Sequence, residues 1–106
     1  MNQFKKVLPL TESMYYILLS LVYPLHGYGI IQNIKQITDN RLIIAPGTLY
    51  GALNTLIDKN FIKHYSFQSN KKEYIITDLG LKVLNKEIAR LYELYSNGID
   101  IIGGYC

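Results

Sequence analysis

The sequence contains no tryptophan, a single cysteine and only two histidines among its 106 residues. With Cys106 as its one thiol, the chain cannot form an internal disulfide. A zinc site would have to rest on His26, His64 and scattered carboxylates, without the cysteine clusters typical of structural zinc sites. These shortages predict a reduced, cytoplasmic protein that holds no metal and no other cofactor.

Long hydrophobic runs are also missing. The longest extends from Met14 to Leu25, about twelve residues, and is interrupted by Ser20 and Pro24, whereas a transmembrane helix needs about 20 apolar residues. We therefore expect a core helix in this segment and no association with a membrane.

Size and composition predict one small globular domain. Apolar residues make up 49% of the chain and charged residues 18%, which is ordinary for a folded protein and too apolar for a disordered one. A chain of this length buries only about 60–70% of the surface that its unfolded form exposes. Its core is therefore modest, and an apolar face left uncovered would need a partner, which makes a dimer the expected state.

The net charge of +3 is concentrated in two places. Lys5 and Lys6 lie at the N-terminus, and residues 62–76 contain Lys63, Lys71 and Lys72 against one acidic residue. A charge of this size fits a nucleic-acid-binding protein and an ordinary cytosolic protein equally well. Its clustering, however, predicts two basic patches.

Apolar spacing and turn residues divide the chain into four helices and one β-hairpin. In each helix the apolar residues recur at three- and four-residue intervals, which places them on one face. The hairpin is rich in aromatic and β-branched residues on both sides of a polar turn. The predicted segments are Leu10–Val22, Gly27–Thr38, Pro46–Asn60, the strands Ile62–Phe67 and Lys72–Ile76, and Thr77–Ser96.

Local signals mark the ends of these segments. Thr11 and Thr77 are suited to cap the first and last helices, and Pro46 has the backbone geometry of a first helical position. Gly27-Tyr28-Gly29, a turn with little side chain, forms the start of the second segment, and Asn97-Gly98 predicts the end of the last one.

The third helix has two contrasting faces. Leu49, Leu53 and Leu56 belong to its apolar face, and the opposite face has only short or polar side chains, so it can approach another surface closely. Such a face fits the major groove of DNA, about 12 Å wide, and a lysine-tipped hairpin fits the neighbouring phosphates. We therefore predict a mostly α-helical fold with a two-stranded β wing, a winged helix-turn-helix followed by a C-terminal dimerisation helix. The polar face consists of Gly47, Thr48, Gly51, Asn54, Thr55 and Asp58.

Five short motifs occur in order between residues 8 and 95. They are Ile17-Leu18-Leu19-Ser20-Leu21, Gly27-Tyr28-Gly29-Ile30, Gly47-Thr48-Leu49-Tyr50, Leu53 with Leu56, and Tyr74 with Thr77-Asp78-Leu79-Gly80. Together they resemble the PadR family of bacterial winged-helix repressors, in its smaller branch with a single short C-terminal helix. The resemblance implies a dimeric transcriptional regulator whose third helix reads an operator in double-stranded DNA and whose last helix forms the dimer with help from the first.

Four side chains of the third helix are the predicted DNA contacts. The amide of Asn54 can form a two-bond contact with adenine, and the hydroxyl of Tyr50 can reach a phosphate. The hydroxyls of Thr48 and Thr55 can either contact bases in the groove or merely cap the helix. The alternatives are that Tyr50 belongs to the core and that Asn54 is only solvated. Many members of the family have a basic pair where this chain has Asn54 and Thr55, so the reading surface is less basic than the resemblance implies.

The hairpin tip carries Lys71 and Lys72, which we expect to hold phosphates, although lysines at such a tip also serve as a solvated turn and protect a sheet edge. Where the family often has glycine before the basic residue, this chain has Asn70. Lys5 and Lys6 offer either a second phosphate contact or a solvated arm.

The last helix carries a seam with the 3, 4, 3, 4 spacing of paired helices, which predicts the dimer interface. In relatives that sense drug-like aromatic compounds in a pore at this interface, a tryptophan stacks on the ligand, and Leu91 occupies that position here. A candidate pore for a small aromatic effector would therefore depend on tyrosines. The seam is Leu81, Leu84, Ile88, Leu91 and Tyr95, and the candidate pore residues are Glu12, Tyr15, Tyr16, Leu19 and Tyr92.

We divide the chain into a winged helix-turn-helix region, residues 1–76, and a C-terminal dimerisation helix and tail, residues 77–106, within one compact domain. Neither histidine has a carboxylate, serine or cysteine at the spacing of a catalytic motif, so an enzyme is not expected. The alternative to a DNA-binding repressor is a winged-helix module that has lost DNA reading and binds another protein.

Overall fold

A computed structural model of the protein describes residues 7–66 and 72–104. It confirms the mostly helical winged-helix architecture. The elements in chain order are α1 (Glu12–Ser20), β1 (Leu25–His26), α2 (Gly27–Ile37), α3 (Pro46–Asp58), β2 (Ile62–Ser66), β3 (Glu73–Ile76) and α4 (Asp78–Gly103).

Three predicted helix starts are confirmed, each marked by a capping threonine or by a proline in the first turn. Thr11 accepts a hydrogen bond from the backbone N–H of Met14 over 3.1 Å at the start of α1, and Thr77 accepts one from Gly80 over 3.0 Å at the start of α4. Pro46 occupies the first turn of α3, where its missing N–H removes no helical hydrogen bond.

The predicted start of the second helix at Gly27 is confirmed, whereas the predicted end of the last helix is wrong. Gly27-Tyr28-Gly29 forms the first turn of α2, directly after the extended residues Leu25–His26. Asn97-Gly98 does not end α4, which continues to Gly103. No proline follows, and one glycine inside a helix costs only about 1 kcal/mol relative to alanine.

The wing contains one more strand than predicted. β2 and β3 form the expected antiparallel hairpin, and β1 pairs with the other side of β3, so the sheet order is β1-β3-β2. Tyr74 in the central strand is opposite Leu25 on one side and His64 on the other. The wing is therefore attached to the helical body through β1 instead of projecting as an isolated hairpin, which would be marginally stable.

Every helix contributes to one hydrophobic core, but α4 does so only at its start. The buried residues of α4 all lie between Gly80 and Glu87. The radius of gyration is 15.6 Å, against about 13 Å for a compact domain of this length. The second half of α4 therefore extends beyond the body of the domain. The buried apolar core is Ile17, Leu18, Leu21, Ile30, Ile31, Ile34, Ile44, Leu49, Leu53, Leu56, Phe61, Ile62, Tyr74, Val83 and Leu84.

The start of α4 packs directly on the turn that follows α3. The hydroxyl of Thr77 donates to the carbonyl oxygen of Asn60 over 2.6 Å, and the Thr77 N–H donates to the carbonyl oxygen of Phe61 over 3.0 Å. Gly80 lies so close to Phe61 that a Cβ at position 80 would overlap that same carbonyl oxygen. These contacts fix the end of α3, the wing and α4 relative to one another.

A buried carboxylate connects α4 to the segment before α1. Glu87 is 1% exposed and accepts hydrogen bonds from the backbone N–H of Leu10 over 2.9 Å and from Arg90 over 2.6 and 3.0 Å. The bonds from Arg90 lower the pKa of Glu87 below its ordinary value, burial opposes them, and the Leu10 N–H adds to them. An unpaired buried charge is costly, so these donors are what make a carboxylate tolerable at this position.

Replacing Gly80 with alanine should destabilise the fold by about 2 kcal/mol or more, because the new methyl group meets a backbone oxygen that has no rotamer to change. Urea denaturation of the wild type and the variant measures the difference. Gly51→Ala is the matched control, since a Cβ at position 51 would meet nothing within 4 Å and should stabilise the helix by about 0.5–1 kcal/mol. Equal stability of Gly80→Ala and the wild type would contradict the packing argument.

Replacing Glu87 with glutamine should lower the free energy of unfolding at neutral pH by about 1–3 kcal/mol, because an amide cannot balance the charge of Arg90. The folded-state pKa of Glu87 lies below its ordinary value of 4.5. Its stabilising contribution is therefore fully present above about pH 4.5 and is lost as the pH falls through the folded-state pKa. Urea denaturation at neutral pH and near pH 3 should show the gap between wild type and variant closing on acidification, and a gap that stays constant would exclude this ion pair as its source.

Candidate nucleic-acid interface

The outward face of α3 is small, polar and accessible. Leu49, Leu53 and Leu56 are buried in the core, which turns the predicted polar face to solvent. A Cβ at Gly47 or Gly51 would meet nothing within 4 Å, so the helix backbone can be approached closely along this face. The exposed residues are Gly47, Thr48, Gly51, Asn54, Thr55 and Asp58.

The side chains on this face differ in how much of their hydrogen-bonding capacity is free. The hydroxyl of Thr55 donates to the carbonyl oxygen of Gly51 over 3.2 Å, so Thr55 presents its oxygen chiefly as an acceptor. Asn54, directly before Thr55, and Thr48, near the start of the helix, are both exposed. The Asn54 amide offers both donors and an acceptor, which makes it the most versatile of the predicted contacts.

Tyr50 lies at the edge of the polar face and reaches the first turn of α2. A Cβ built on Gly27 would lie 2.6 Å from the Tyr50 hydroxyl oxygen and 2.9 Å from the ring carbon Cζ, so the ring passes directly over Gly27. Tyr50 is nevertheless 49% exposed. It also raises the pKa of the Tyr74 hydroxyl in β3, after the larger effect of burial on that group. Tyr50 thus lies where α3, the start of α2 and the centre of the sheet meet.

The wing lies next in the chain to α3 and carries exposed lysines. Lys63 in β2 and Lys72 immediately before β3 are exposed. The ring of His64 lies 5.1 Å from that of Tyr74, centroid to centroid, which packs β2 on the central strand. The predicted contacts Lys71, Lys5 and Lys6, together with Asn70 and Cys106, lie outside the described residues.

Most of the predicted seam on α4 is exposed. Leu81, Ile88, Leu91 and Tyr95 lie on the surface, whereas Leu84 is 2% exposed and belongs to the core of its own chain. Leu84 therefore has no surface to offer to a second copy, because α4 turns this part of the seam toward α1 and the sheet. The exposed apolar surface of α4 also includes Leu94 and, beyond the predicted end of the helix, Ile99, Ile101 and Ile102.

A cleft of about 280 Å³ separates α1 from α4. It brings together three of the predicted pore residues, with the rings of Tyr15 and Tyr16 packed edge to face at 5.4 Å and 80°. Leu19 packs against the core and Tyr92 is 70% exposed, so neither is among the lining residues. The cleft is lined by Leu10, Glu12, Tyr15, Tyr16, Glu87, Arg90 and Leu91.

Two ion pairs in and beside this cleft were not predicted. Arg90 pairs with Glu87 inside it, and at its rim Glu12 pairs with Arg41 over 2.6 Å. The hydrogen bonds from Arg41 lower the pKa of Glu12. The sequence carried a signal for the first pair, because Glu87 and Arg90 are three residues apart on one helix. The hydrogen bond from Leu10 to Glu87 and the pair of Glu12 with Arg41 join residues that are distant in the sequence, so no spacing reveals them.

Within residues 7–66 and 72–104, no helix is long and apolar enough to cross a membrane. Across the same ranges, no three histidine, cysteine, aspartate or glutamate side chains come together as a metal site would require.

Comparison with known proteins identifies the family of this architecture. The sequence model of the family described as "Transcriptional regulator PadR-like family" matches residues 17–86. The fold is similar to that of a transcriptional regulator from Clostridium thermocellum, with 29% identity, a TM-score of 0.67 and coverage of 86% of this chain and 95% of that one. A PadR-like transcription factor from Bacteroides fragilis is 31% identical, with a TM-score of 0.70 and coverage of 84% of this chain and 88% of that one.

Two further relatives are longer than this chain. Bacillus subtilis PadR, solved in complex with operator DNA, is 28% identical with a TM-score of 0.65, and the match covers 76% of this chain and 48% of that one. A 37.1 kDa protein in transposon TN4556 of Streptomyces fradiae is 36% identical over 64 residues, which are 60% of this chain and 18% of that protein. The chain therefore spans about half of the first and under a fifth of the second.

Proposed function

The chain belongs to the PadR-like family of transcriptional regulators, and from this premise we propose that it is a cytoplasmic, sequence-specific repressor that binds its operator as a homodimer. The observation that carries the proposal is the exposed face of α3, made of small polar side chains and next in the chain to a wing with exposed lysines. The similarity to a protein solved in complex with operator DNA supports the same use of this surface.

In the proposed complex α3 lies in the major groove. Asn54 contacts a base edge, Thr48 and Thr55 contact bases or backbone through their hydroxyls, and Tyr50 donates to a phosphate. Because α3 contains no lysine or arginine, its contribution is chiefly to sequence discrimination. A two-bond contact from an asparagine to adenine is worth about 1–3 kcal/mol of discrimination.

The wing supplies most of the charge in this proposal. Lys72 is exposed immediately before β3, at the turn end of the hairpin, and Lys71 precedes it in the sequence. Lysines on phosphates release counterions from the duplex, which gives affinity without sequence preference. With Lys5 and Lys6 as further candidates, each chain has up to four lysines available for phosphates.

The free half of α4 supports a homodimer. Apolar side chains protrude on this half of the helix, where it extends beyond the domain body, and contiguous apolar surfaces of this kind mark interaction sites. A second copy offers the same surface, so two α4 helices related by a two-fold axis can cover one another. The exposed apolar residues from the seam onward are Leu81, Ile88, Leu91, Tyr92, Leu94, Tyr95, Ile99, Ile101 and Ile102.

The cleft between α1 and α4 supports a site for a small aromatic effector that releases the operator. Tyr15 and Tyr16 present aromatic surface, and Leu10 and Leu91 present apolar surface. The carboxylates of Glu12 and Glu87 are already paired with arginines, so the cleft favours ligand packing over recognition of a net charge. Because α4 carries both this wall and the proposed dimer surface, occupancy of the cleft can alter the spacing of the two reading helices.

Operator binding is tested with DNA from upstream of the gene that encodes the chain, in gel shifts across a salt series. If half to all of the candidate lysines bind phosphates, the logarithm of the binding constant should fall with the logarithm of salt concentration with a slope of about −4 to −7 for the dimer. Asn54→Ala should weaken operator binding by about tenfold or more while leaving that slope nearly unchanged.

Unrelated DNA of equal length is the control, and the wild type should bind it more weakly at every salt concentration. Absence of salt-dependent binding, together with a partner protein bound stably by the purified chain, would instead establish the protein-interaction module as the function.

Dimerisation is tested separately with Ile88→Asp, which places a charge in the exposed seam outside the core. We expect a monomer by light scattering, with operator binding weakened at least 100-fold because the two half-sites are no longer bound together. Lys82→Asp, a charge change on the polar side of the same helix, should remain dimeric. A wild-type chain that is monomeric at micromolar concentration would refute the proposed interface.

A further inference from the structure

Two sequence motifs that are 20 residues apart meet in a single contact. Gly27 opens α2, and Tyr50 lies in the first half of α3. The Tyr50 ring crosses Gly27 so closely that a Cβ there would be 2.6 Å from the hydroxyl oxygen. Gly27 is buried and its φ is not in the left-handed region. The backbone conformation therefore does not require glycine at this position, and the neighbouring tyrosine does.

We infer that Gly27 is a positioning residue for DNA binding, which acts through Tyr50 by leaving room for its ring above the first turn of α2. The inference rests on the proposed use of α3 at the operator. The tyrosine hydroxyl is held at the start of α2, where His26 provides no side-chain cap and the helix end favours negative charge. Half of the Tyr50 residue remains exposed, so the side chain can be approached from solvent while its ring packs over Gly27.

The effect of a methyl group at position 27 differs from that at Gly80. At Gly80 the obstacle is the backbone oxygen of Phe61, and the fold itself must give way. At Gly27 the obstacles are the three outer atoms of one tyrosine ring, which can rotate toward solvent. Gly27→Ala should therefore leave the fold intact and displace the Tyr50 hydroxyl by more than the few tenths of an ångström that a hydrogen bond tolerates.

The second motif glycine provides a matched control. Gly29 lies in the same turn of α2, and a Cβ there would be no closer than 3.3 Å to the ring of His26. Gly29→Ala thus makes the same chemical change two residues away without reaching Tyr50. It should bind DNA within about twofold of the wild type, because the residue makes none of the proposed contacts.

The experiment compares five proteins: wild type, Gly27→Ala, Gly29→Ala, Tyr50→Phe and the double variant Gly27→Ala with Tyr50→Phe. Affinity for the upstream DNA is measured by fluorescence anisotropy, and folding by thermal denaturation. Gly27→Ala and Tyr50→Phe should each bind about 10- to 100-fold more weakly, as expected when one hydrogen bond of ordinary net strength is lost in each of the two half-sites. The double variant should bind DNA with about the affinity of the single variant that binds less tightly, because both changes remove the same contact.

Three results would overturn the inference: full affinity in Gly27→Ala, losses that add in the double variant, or a Gly27→Ala protein that does not fold. A structural role alone would lower thermal stability without the non-additive loss of affinity. If the wild type itself binds no DNA, the proposed function fails, and the contact is tested on its own with 3-fluorotyrosine at position 50. Its fluorine signal should then shift in Gly27→Ala and stay unchanged in Gly29→Ala, and an unchanged signal in both would exclude the contact.

Discussion

The contact on which the rest of the structure depends is the close approach of Gly80 to the carbonyl oxygen of Phe61. A backbone-to-backbone contact of this kind leaves no side chain to absorb a change. Thr77 reinforces it from both ends, by capping α4 and by donating to the turn after α3. α3, the wing and α4 all meet within these few residues, so the orientation of these three elements relative to one another is set at one point.

This junction has a consequence for a two-fold dimer. In the proposed assembly the α4 helices hold the two chains together, and each α3 is rigidly attached to the start of its own α4. The distance between the reading helices then follows from how the two α4 helices cross, and half-sites on DNA require that distance to be near one helical turn, about 34 Å. Glu87 adds a second attachment, from α4 to the backbone of Leu10, in the wall of the cleft. A ligand in that cleft would therefore act on α4, the same helix whose crossing with its copy sets the distance between the two α3 helices.

The sequence predicted the elements whose causes are local. Helix starts at Thr11, Pro46 and Thr77 depend on the capping side chain or ring itself, and the face of α3 follows from the spacing of its leucines. The two-residue strand β1 was missed because its strand character comes from pairing with β3, which lies about 50 residues later in the chain. α4 was predicted to end at Asn97-Gly98, because this pair of residues often forms a turn, but the helix continues through it to Gly103.

The sequence predicted which polar residues the candidate site presents, but it did not predict the packing contacts that position them. Thr48 and Asn54 are exposed as expected for residues opposite a leucine stripe, but their distance from DNA is not a property of the chain alone. The packing of Tyr50 on Gly27 and the hydrogen bond from Leu10 to Glu87 both depend on which segments become neighbours in the fold. Leu84 has the spacing of the dimer seam and the burial of the core, because one heptad pattern serves both surfaces of α4.

The distribution of charge separates two functions that many DNA-binding helices combine. The one charged side chain of α3 is that of Asp58, at its last residue, and it is acidic, whereas Lys63 and Lys72 lie on or beside the wing strands. Phosphate contacts supply affinity that weakens with salt, and contacts with base edges supply discrimination. In the proposed complex, changes on α3 would therefore alter which sequence is bound with little effect on the salt dependence, and changes on the wing would do the reverse. The small net charge of the chain is consistent with this arrangement, since in the proposed complex a few lysines beside α3 supply the phosphate contacts that α3, without a cationic side chain, does not.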